Sequence, residues 1–439
     1  MKTILSHNRV TLVYIAIIAL WMISTSPTRG QNQTVEEQEY ITAQTAYIDG
    51  LTAFENNDYE KAISLLNKAY VKLPNHPGIN FALADAYLQI NDYENAEYYS
   101  KQARTLNPEN KWYHLQLVEI YKAIGNIEAA AKELRNALTH HPKDTDILFD
   151  LAQTYSQLGK LEQSNTVYNK LLQLKGEMIS IRLEKLKNYN KLNMKDSAIV
   201  ELEKIRTMDP GNLSTLHLLS NYYLELKKPD EARDVIGNAL EINSNNPKSR
   251  MILADIYLTQ SKWDSAETTL QILMEDSSLG NNTKEEVAHF IYSKYKSDPS
   301  KPAIQQIANN TFKKLTQNSQ ASGKAYRLAA DFFLNTDQNN YALRALERAT
   351  ELNPSNDSVW QKRLQLLLNQ RRFDDVIEAG KQAIENVPQD PILLYMLGNA
   401  YLSSRLYEKA EEHLKEASTL PARRPLKTNI FGSLADTYA

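Results

Sequence analysis

Leu83-Ala84-Asp85-Ala86-Tyr87 recurs as Leu253-Ala254-Asp255-Ile256-Tyr257 and again as Leu434-Ala435-Asp436-Thr437-Tyr438. In the first two copies an alanine, Ala96 or Ala266, stands nine residues after the tyrosine. Carried outward, that alanine becomes a ruler: Ala62, Ala96, Ala130, Ser164, Ala198, Ala232 and Ala266 lie 34 residues apart. Nine residues before each stand Ala53, Tyr87, Tyr121, Tyr155, Tyr189, Tyr223 and Tyr257. After an irregular stretch the ruler resumes at Ala308, Ala342, Val376 and Ala410, again in steps of 34. A fixed period of this length marks an array in which each repeat is one supersecondary unit.

Each repeat reads as two helices. With Pro77 as position 1, apolar or small residues fall at positions 7, 8 and 11 (Leu83, Ala84, Tyr87) and then at 20, 24 and 27, steps of an amphipathic helix. A polar turn parts the two helices at Asn91-Asp92, Gly125-Asn126 and Gly159-Lys160. Leu73-Pro74, Asn107-Pro108, His141-Pro142, Asp209-Pro210, Asn353-Pro354 and Val387-Pro388 close the repeats, since proline pushes the residue before it out of the helical region. Small residues at positions 8 and 20, such as Gly50 with Ala62 and Gly398 with Ala410, let the helices approach closely. The prediction is an all-α array of about eleven hairpins without β-sheet.

The pattern Leu83-Ala84-Tyr87-Ala96-Ala103-Pro108, with Trp360 at position 4 and Leu397-Gly398-Tyr401-Ala410-Leu414-Ala417 later, resembles the tetratricopeptide repeat (TPR) family. The resemblance covers roughly residues 43 to 439. It implies a superhelical solenoid of stacked antiparallel helix pairs with a concave groove, each pair burying its apolar faces only against its neighbours. It assigns units 1–7 to residues 43–276, units 9–11 and the start of a twelfth to residues 323–439, and a degenerate eighth unit with an insertion to residues 277–322. The step from Ala266 to Ala308 is 42 residues, eight over the ruler, a loop insertion or a hinge. The chain stops within the first helix of the twelfth unit, without a polar capping helix, as a piece of a longer protein does.

Residues 1–30 read as a signal peptide: Lys2, His7 and Arg9 precede the apolar run Val10–Ile23, and a cut falls near Gly30. That run is shorter than the roughly 20 residues of a membrane span. The expectation is export, to a periplasmic or envelope location. The alternative is an anchor in the inner membrane by residues 10–23. Residues 31–42 form an N-terminal leader segment.

Composition excludes several classes of function. Lys2, Arg9 and Arg29 leave with the signal, taking the net charge from −3 to −6, and no basic cluster marks a nucleic-acid face. There is no cysteine, so neither disulfides nor thiolate chemistry arise. No glycine-rich phosphate loop and no His-Glu-x-x-His is present, and no small-molecule substrate is evident. His140-His141, at a helix end, reads as structural, and the tyrosines of position 11 as core packing. The carboxylate clamp with which some TPR proteins hold chaperone C-termini is missing, because Asp255 follows His217 and Asn221 where asparagine is needed. No catalytic residue, cofactor or metal is therefore expected.

What remains is a scaffold that binds a protein or peptide. At about 100° per residue, positions 2, 5, 9, 12 and 13 lie opposite the core positions, on the side that lines the groove in TPR proteins. In the first four units that side holds Tyr47, Phe54, Phe81, Leu88, Trp112, Leu115 and Phe149. In the next two it turns polar: Ser180, Lys187, Asn190, Lys191, Ser214, His217 and Asn221. Apolar side chains without packing duty mark an interaction site, and these seven are the candidate partner-binding residues. The remaining alternatives are the TPR portion of a larger enzyme, with a catalytic domain beyond Ala439, and a membrane-anchored assembly factor.

Overall fold

The computed structural model describes residues 35–317 and 320–439. The leader and its apolar run lie outside the described residues. These contain 23 α-helices and no strand. No helix among them is long and apolar enough to cross a membrane.

The chain divides into two compact bodies, one ending at Met208 and the other beginning at Asp209. The N-terminal body holds α1 (Val35–Glu55), α2 (Tyr59–Lys72), α3 (Pro77–Gln89), α4 (Tyr93–Leu106), α5 (Lys111–Ala123), α6 (Ile127–His140), α7 (Thr145–Gln157), α8 (Leu161–Lys175), α9 (Ile179–Lys191) and α10 (Lys195–Met208). The C-terminal body holds α11 (Leu213–Glu225), α12 (Pro229–Ile242), α13 (Pro247–Thr259), α14 (Trp263–Glu275), α15 (Asn281–Ser297), α16 (Pro302–Gln317), α17 (Gly323–Asn335), α18 (Asn339–Leu352), α19 (Asp357–Asn369), α20 (Phe373–Asn386), α21 (Pro391–Ser403), α22 (Tyr407–Thr419) and α23 (Arg424–Asp436). Odd-numbered helices open a repeat and even-numbered ones close it; α23 opens a repeat without a second helix among the described residues. Residues 35–42 already belong to α1, so the first helix begins before position 43.

One turn builds ten of the eleven hairpins. The residue two after each opening helix adopts a left-handed conformation: Asn57, Asn91, Gly125, Gly159, Asn193, Lys227, Ser261, Asp337, Arg371 and Arg405. The next residue donates its N–H to the carbonyl of position 11, as Asp92 does to Tyr87 at 2.9 Å, Asn126 to Tyr121 at 2.8 Å and Leu406 to Tyr401 at 2.9 Å. This six-residue closure is the Schellman arrangement, which satisfies carbonyls left over at the helix end. Where that donor is Asp58, Asp92 or Asn126, its side chain also caps the second helix. The asparagines and glycines of these turns tolerate positive φ, whereas Lys227, Arg371 and Arg405 adopt it at a steric cost.

The second breaker works as its sequence predicts. Leu73, Asn107, His141, Asn353 and Val387, each followed by proline, leave the helical region with φ between −122° and −144°. In three of these repeats a polar side chain at position 4 of the next helix then reaches back to the carbonyl of that proline. Asn80 Nδ2 donates to Pro74 O at 2.8 Å and Trp360 Nε1 to Pro354 O at 2.7 Å, and His114 Nε2 lies 2.8 Å from Pro108 O.

Within a pair the tightest approach to position 8 comes from position 24, with Ala410 of position 20 also in contact at 3.5 Å in the last full hairpin. A Cβ on Gly50 would sit 2.8 Å from Leu66 Cγ, and one on Gly398 would sit 2.7 Å from Leu414 Cγ. The eighth repeat absorbs its extra residues as helix: α15 and α16 run 17 and 16 residues, and no left-handed residue parts them. It shares a dense aromatic core with the ninth repeat, Phe312 stacking on Phe332 of α17 at 4.8 Å and Tyr295 standing edge-on to Phe332 at 5.2 Å. This packing joins the eighth repeat to the ninth.

Candidate protein-binding surface

In the N-terminal body the opening helices α1, α3, α5 and α7 present the seven candidate residues. Each is half-buried, neither core nor freely exposed. Their surroundings differ. Tyr47 packs beside His76, with ring centroids 5.7 Å apart, and its hydroxyl borders Gly78. Burial, then the nearby Tyr113, pushes its phenol up to about 12. Phe81 packs on the buried Tyr113 at 5.1 Å. Tyr47 and Phe81 therefore meet one small aromatic cluster, completed by His76 and Tyr113, which the face pattern missed because position 3 was assigned to neither side.

The other five stand apart from that cluster. Phe54 turns onto Tyr59 of its own hairpin at 5.4 Å, and Phe149 onto Tyr168 of its own hairpin at 6.2 Å. Leu115 packs against the core formed by Val118, Leu134 and their neighbours. Trp112 lies under the ammonium of Lys111, 5.1 Å from the ring centre, and Asp144 holds that lysine at 2.8 Å. Leu88 sits half-buried near the end of α3. The apolar side is thus a row of partly covered side chains, one or two per repeat, rather than one bare patch.

Polar groups tie neighbouring opening helices together along this side. Gln116 Nε2 donates to Phe81 O at 2.9 Å and to Asp85 Oδ1 at 3.1 Å. In the C-terminal body Lys362 pairs with Asp331 at 2.5 Å through the same positions, 6 and 9. Burial raises the Asp150 carboxyl at position 6 of the fourth repeat, with the Lys122 charge opposing.

The polar continuation is exposed at Ser180, Lys187, Asn190, Lys191, Ser214 and Asn221, but not at His217. His217 is buried, with Nε2 2.7 Å from Ser249 Oγ on the next opening helix. A neighbouring repeat supplies a hydroxyl there, and that contact draws a position-5 side chain inward. Asp255 is held by Lys294 at 2.5 Å. The position-11 tyrosines range from buried (Tyr155, Tyr401) to half-buried, as at Tyr87, whose ring stacks on Tyr99 at 5.6 Å. His141 Nε2 lies 2.6 Å from Glu109 O, a structural contact.

A second feature was legible only in three dimensions. Positions 4 and 23 face each other across a hairpin, and their residue types match. His114 meets Glu133 and Arg182 meets Glu201, both pairs buried, whereas the repeats with Trp360 or Tyr326 at position 4 carry Ala379 or Ala345 at position 23, all four buried. In the fifth repeat Lys185 also reaches Glu201, taking the place of the usual position-7 leucine.

Family models described as tetratricopeptide repeat match residues 53–98 and 125–177, and 329–391 and 362–423. The chain is a tetratricopeptide-repeat protein. A model described as anaphase-promoting complex, cyclosome, subunit 3 matches residues 191–272 of the same TPR array. Among solved structures, MamA protein is similar at 19% identity over 38% of this chain and 91% of that chain, TM-score 0.34. Naa15/Naa10 bound to HypK-THB is similar at 16% identity over 98% of this chain and 70% of that chain, TM-score 0.40. A tetratricopeptide repeat protein from Parabacteroides merdae is similar at 16% identity over 59% of this chain and 98% of that chain, TM-score 0.34. No curated protein matches the chain. The TPR fold is generally a non-catalytic protein-interaction fold.

Proposed function

We propose that this TPR protein is a non-catalytic interaction scaffold of the cell envelope, and that its N-terminal body grips a helix or extended segment of a partner protein. The observation that carries the reading is the half-buried apolar row formed by Phe81, Trp112, Leu115 and Phe149 on three successive opening helices. Packed helices lie about 8–10 Å apart. Two turns of a partner helix rise about 11 Å, so anchors at i and i+7 match that spacing. The exported location rests on the pattern of Lys2, Arg9 and Val10–Ile23.

Affinity capture from envelope extracts tests the groove. Trp112→Ala with Leu88→Ala should weaken capture of the partner by roughly 2 kcal/mol if the two act as hot spots, while Val71→Ala, at a residue 74% exposed on α2, should leave it unchanged. Equal capture by both proteins would sink the groove assignment. Fusing residues 1–60 to a reporter that folds only in an oxidising compartment tests export; an inactive reporter with the leader intact refutes it.

A further inference from the structure

The C-terminal body contains a cavity that the scaffold reading does not use. It lies between α16, α17 and α18, has a volume of about 620 Å³, and is lined by Lys313, Tyr326, Tyr341, Arg344 and Arg348 among others. Its size falls within the range of about 300–1,000 Å³ typical of ligand sites.

The cations there are placed rather than scattered. Tyr341 stacks on the buried Phe333 at 5.2 Å, and Lys313 Nζ stands 4.7 Å from the centre of the Tyr341 ring. Arg348 lies 5.9 Å from the ring of buried Tyr326. An ammonium or guanidinium held over an aromatic face keeps its charge available for an anion on the other side.

The local charges do not cancel. Glu347, the one acidic residue of the lining, is held by Arg363 at 3.2 Å. Arg348 pairs with Glu351, and Lys314, beside Lys313 but outside the lining, pairs with Glu275. Among the described residues, Lys313 and Arg344 have no carboxylate within ion-pair distance. Two unneutralised cations thus share one concave site in a chain whose net charge is −3.

We propose that this cavity binds the side-chain carboxylates of an acidic peptide segment. Arg344 offers a planar fork that matches a carboxylate in two hydrogen bonds, Lys313 a point charge, and Tyr341 a hydroxyl at the rim. A nucleic-acid strand needs cations along a track of phosphates, whereas these are confined to one cavity.

Fluorescence anisotropy with the full chain tests the assignment. The probes are a labelled peptide alternating glutamate and glycine, its glutamine counterpart, and a single-stranded oligonucleotide. The glutamate peptide should bind about tenfold or more tightly than the glutamine peptide. Lys313→Gln with Arg344→Gln should lose about tenfold of that affinity. Lys143→Gln with Lys170→Gln, an equal charge change at exposed sites of the other body, should retain it. Equal loss in both double variants, equal binding of the two peptides, or tighter binding of the oligonucleotide would each overturn the proposal. Arg344 is exposed and Lys313 half-buried, so thermal melting of the double variant should match the parent.

Discussion

His114 Nδ1 lies 2.5 Å from Glu133 Oε1, with both side chains buried between the two helices of the third repeat. The other ring nitrogen faces the carbonyl of Pro108, which can only accept. Nε2 therefore carries a hydrogen and donates it to that carbonyl, which turns Nδ1 toward the carboxylate. Arg104, 3.1 Å from the other carboxylate oxygen, completes the group.

Burial alone would raise the Glu133 carboxyl, but the His114 hydrogen bond and the Arg104 charge outweigh it and hold it below its ordinary value of 4.5. A carboxyl depressed on folding contributes stability that is complete above its unfolded value and is lost as pH falls through the folded one. Stability should therefore decline as pH drops below about 4.5, and Glu133→Gln should remove that share of the decline. Urea titrations at about pH 6 and about pH 3.5 read this directly; a stability gap between the two proteins that is the same at both values refutes it. His114→Ala, which strips a buried carboxylate of one partner, should cost about 3 kcal/mol at neutral pH. His114→Trp with Glu133→Ala recreates the Trp360 and Ala379 pairing and should recover much of that loss.

The hairpin turns offer a gain rather than a loss. Arg371 and Arg405 hold φ of 57° and 61°, a conformation that strains an L-residue by about 1–2 kcal/mol and glycine not at all. Set against the extra entropy of an unfolded glycine, each Arg→Gly substitution should raise stability by about 0.5–1 kcal/mol. Gly125→Ala and Gly159→Ala, at turns with φ of 74° and 72°, should lower it by a similar amount. Melting temperatures that shift the other way would show that the arginine side chains support the turn by contacts of their own.

Gly398 tests the closeness of a helix pair. A Cβ there would meet Leu414 Cγ at 2.7 Å, and Leu414 is fully buried. Valine adds three carbons where one does not fit, so Gly398→Val should cost about 2–3 kcal/mol. Substitution at Gly237, where an added Cβ meets nothing within 4 Å, is the matched control. Equal stabilities would mean that α21 and α22 part more easily than their packing implies.

The sequence by itself determined what depends on neighbours along the chain. Helix phase follows from apolar steps of 3 and 4, helix ends from Pro74 or Pro108, and the hairpin turn from Asn91 or Gly125, because dihedral preference and amphipathicity act within a few residues. The 34-residue ruler added the number of repeats without any contact being known. The tertiary structure alone decided which side chains the next repeat covers. Phe81 and His217 both occupy position 5, yet only His217 is drawn fully inside, because Ser249 on the following helix meets it. Gly50 and Gly398 announce a close approach in sequence, but the tightest contact is with Leu66 or Leu414, which the pairing with the alanine of position 20 did not name. The match of His114 with Glu133 spans a turn, and the basic cavity gathers Lys313, Tyr326 and Arg344 from three helices. Exposure and charge pairing are set by the surfaces that packing brings together, and those surfaces belong to no single helix.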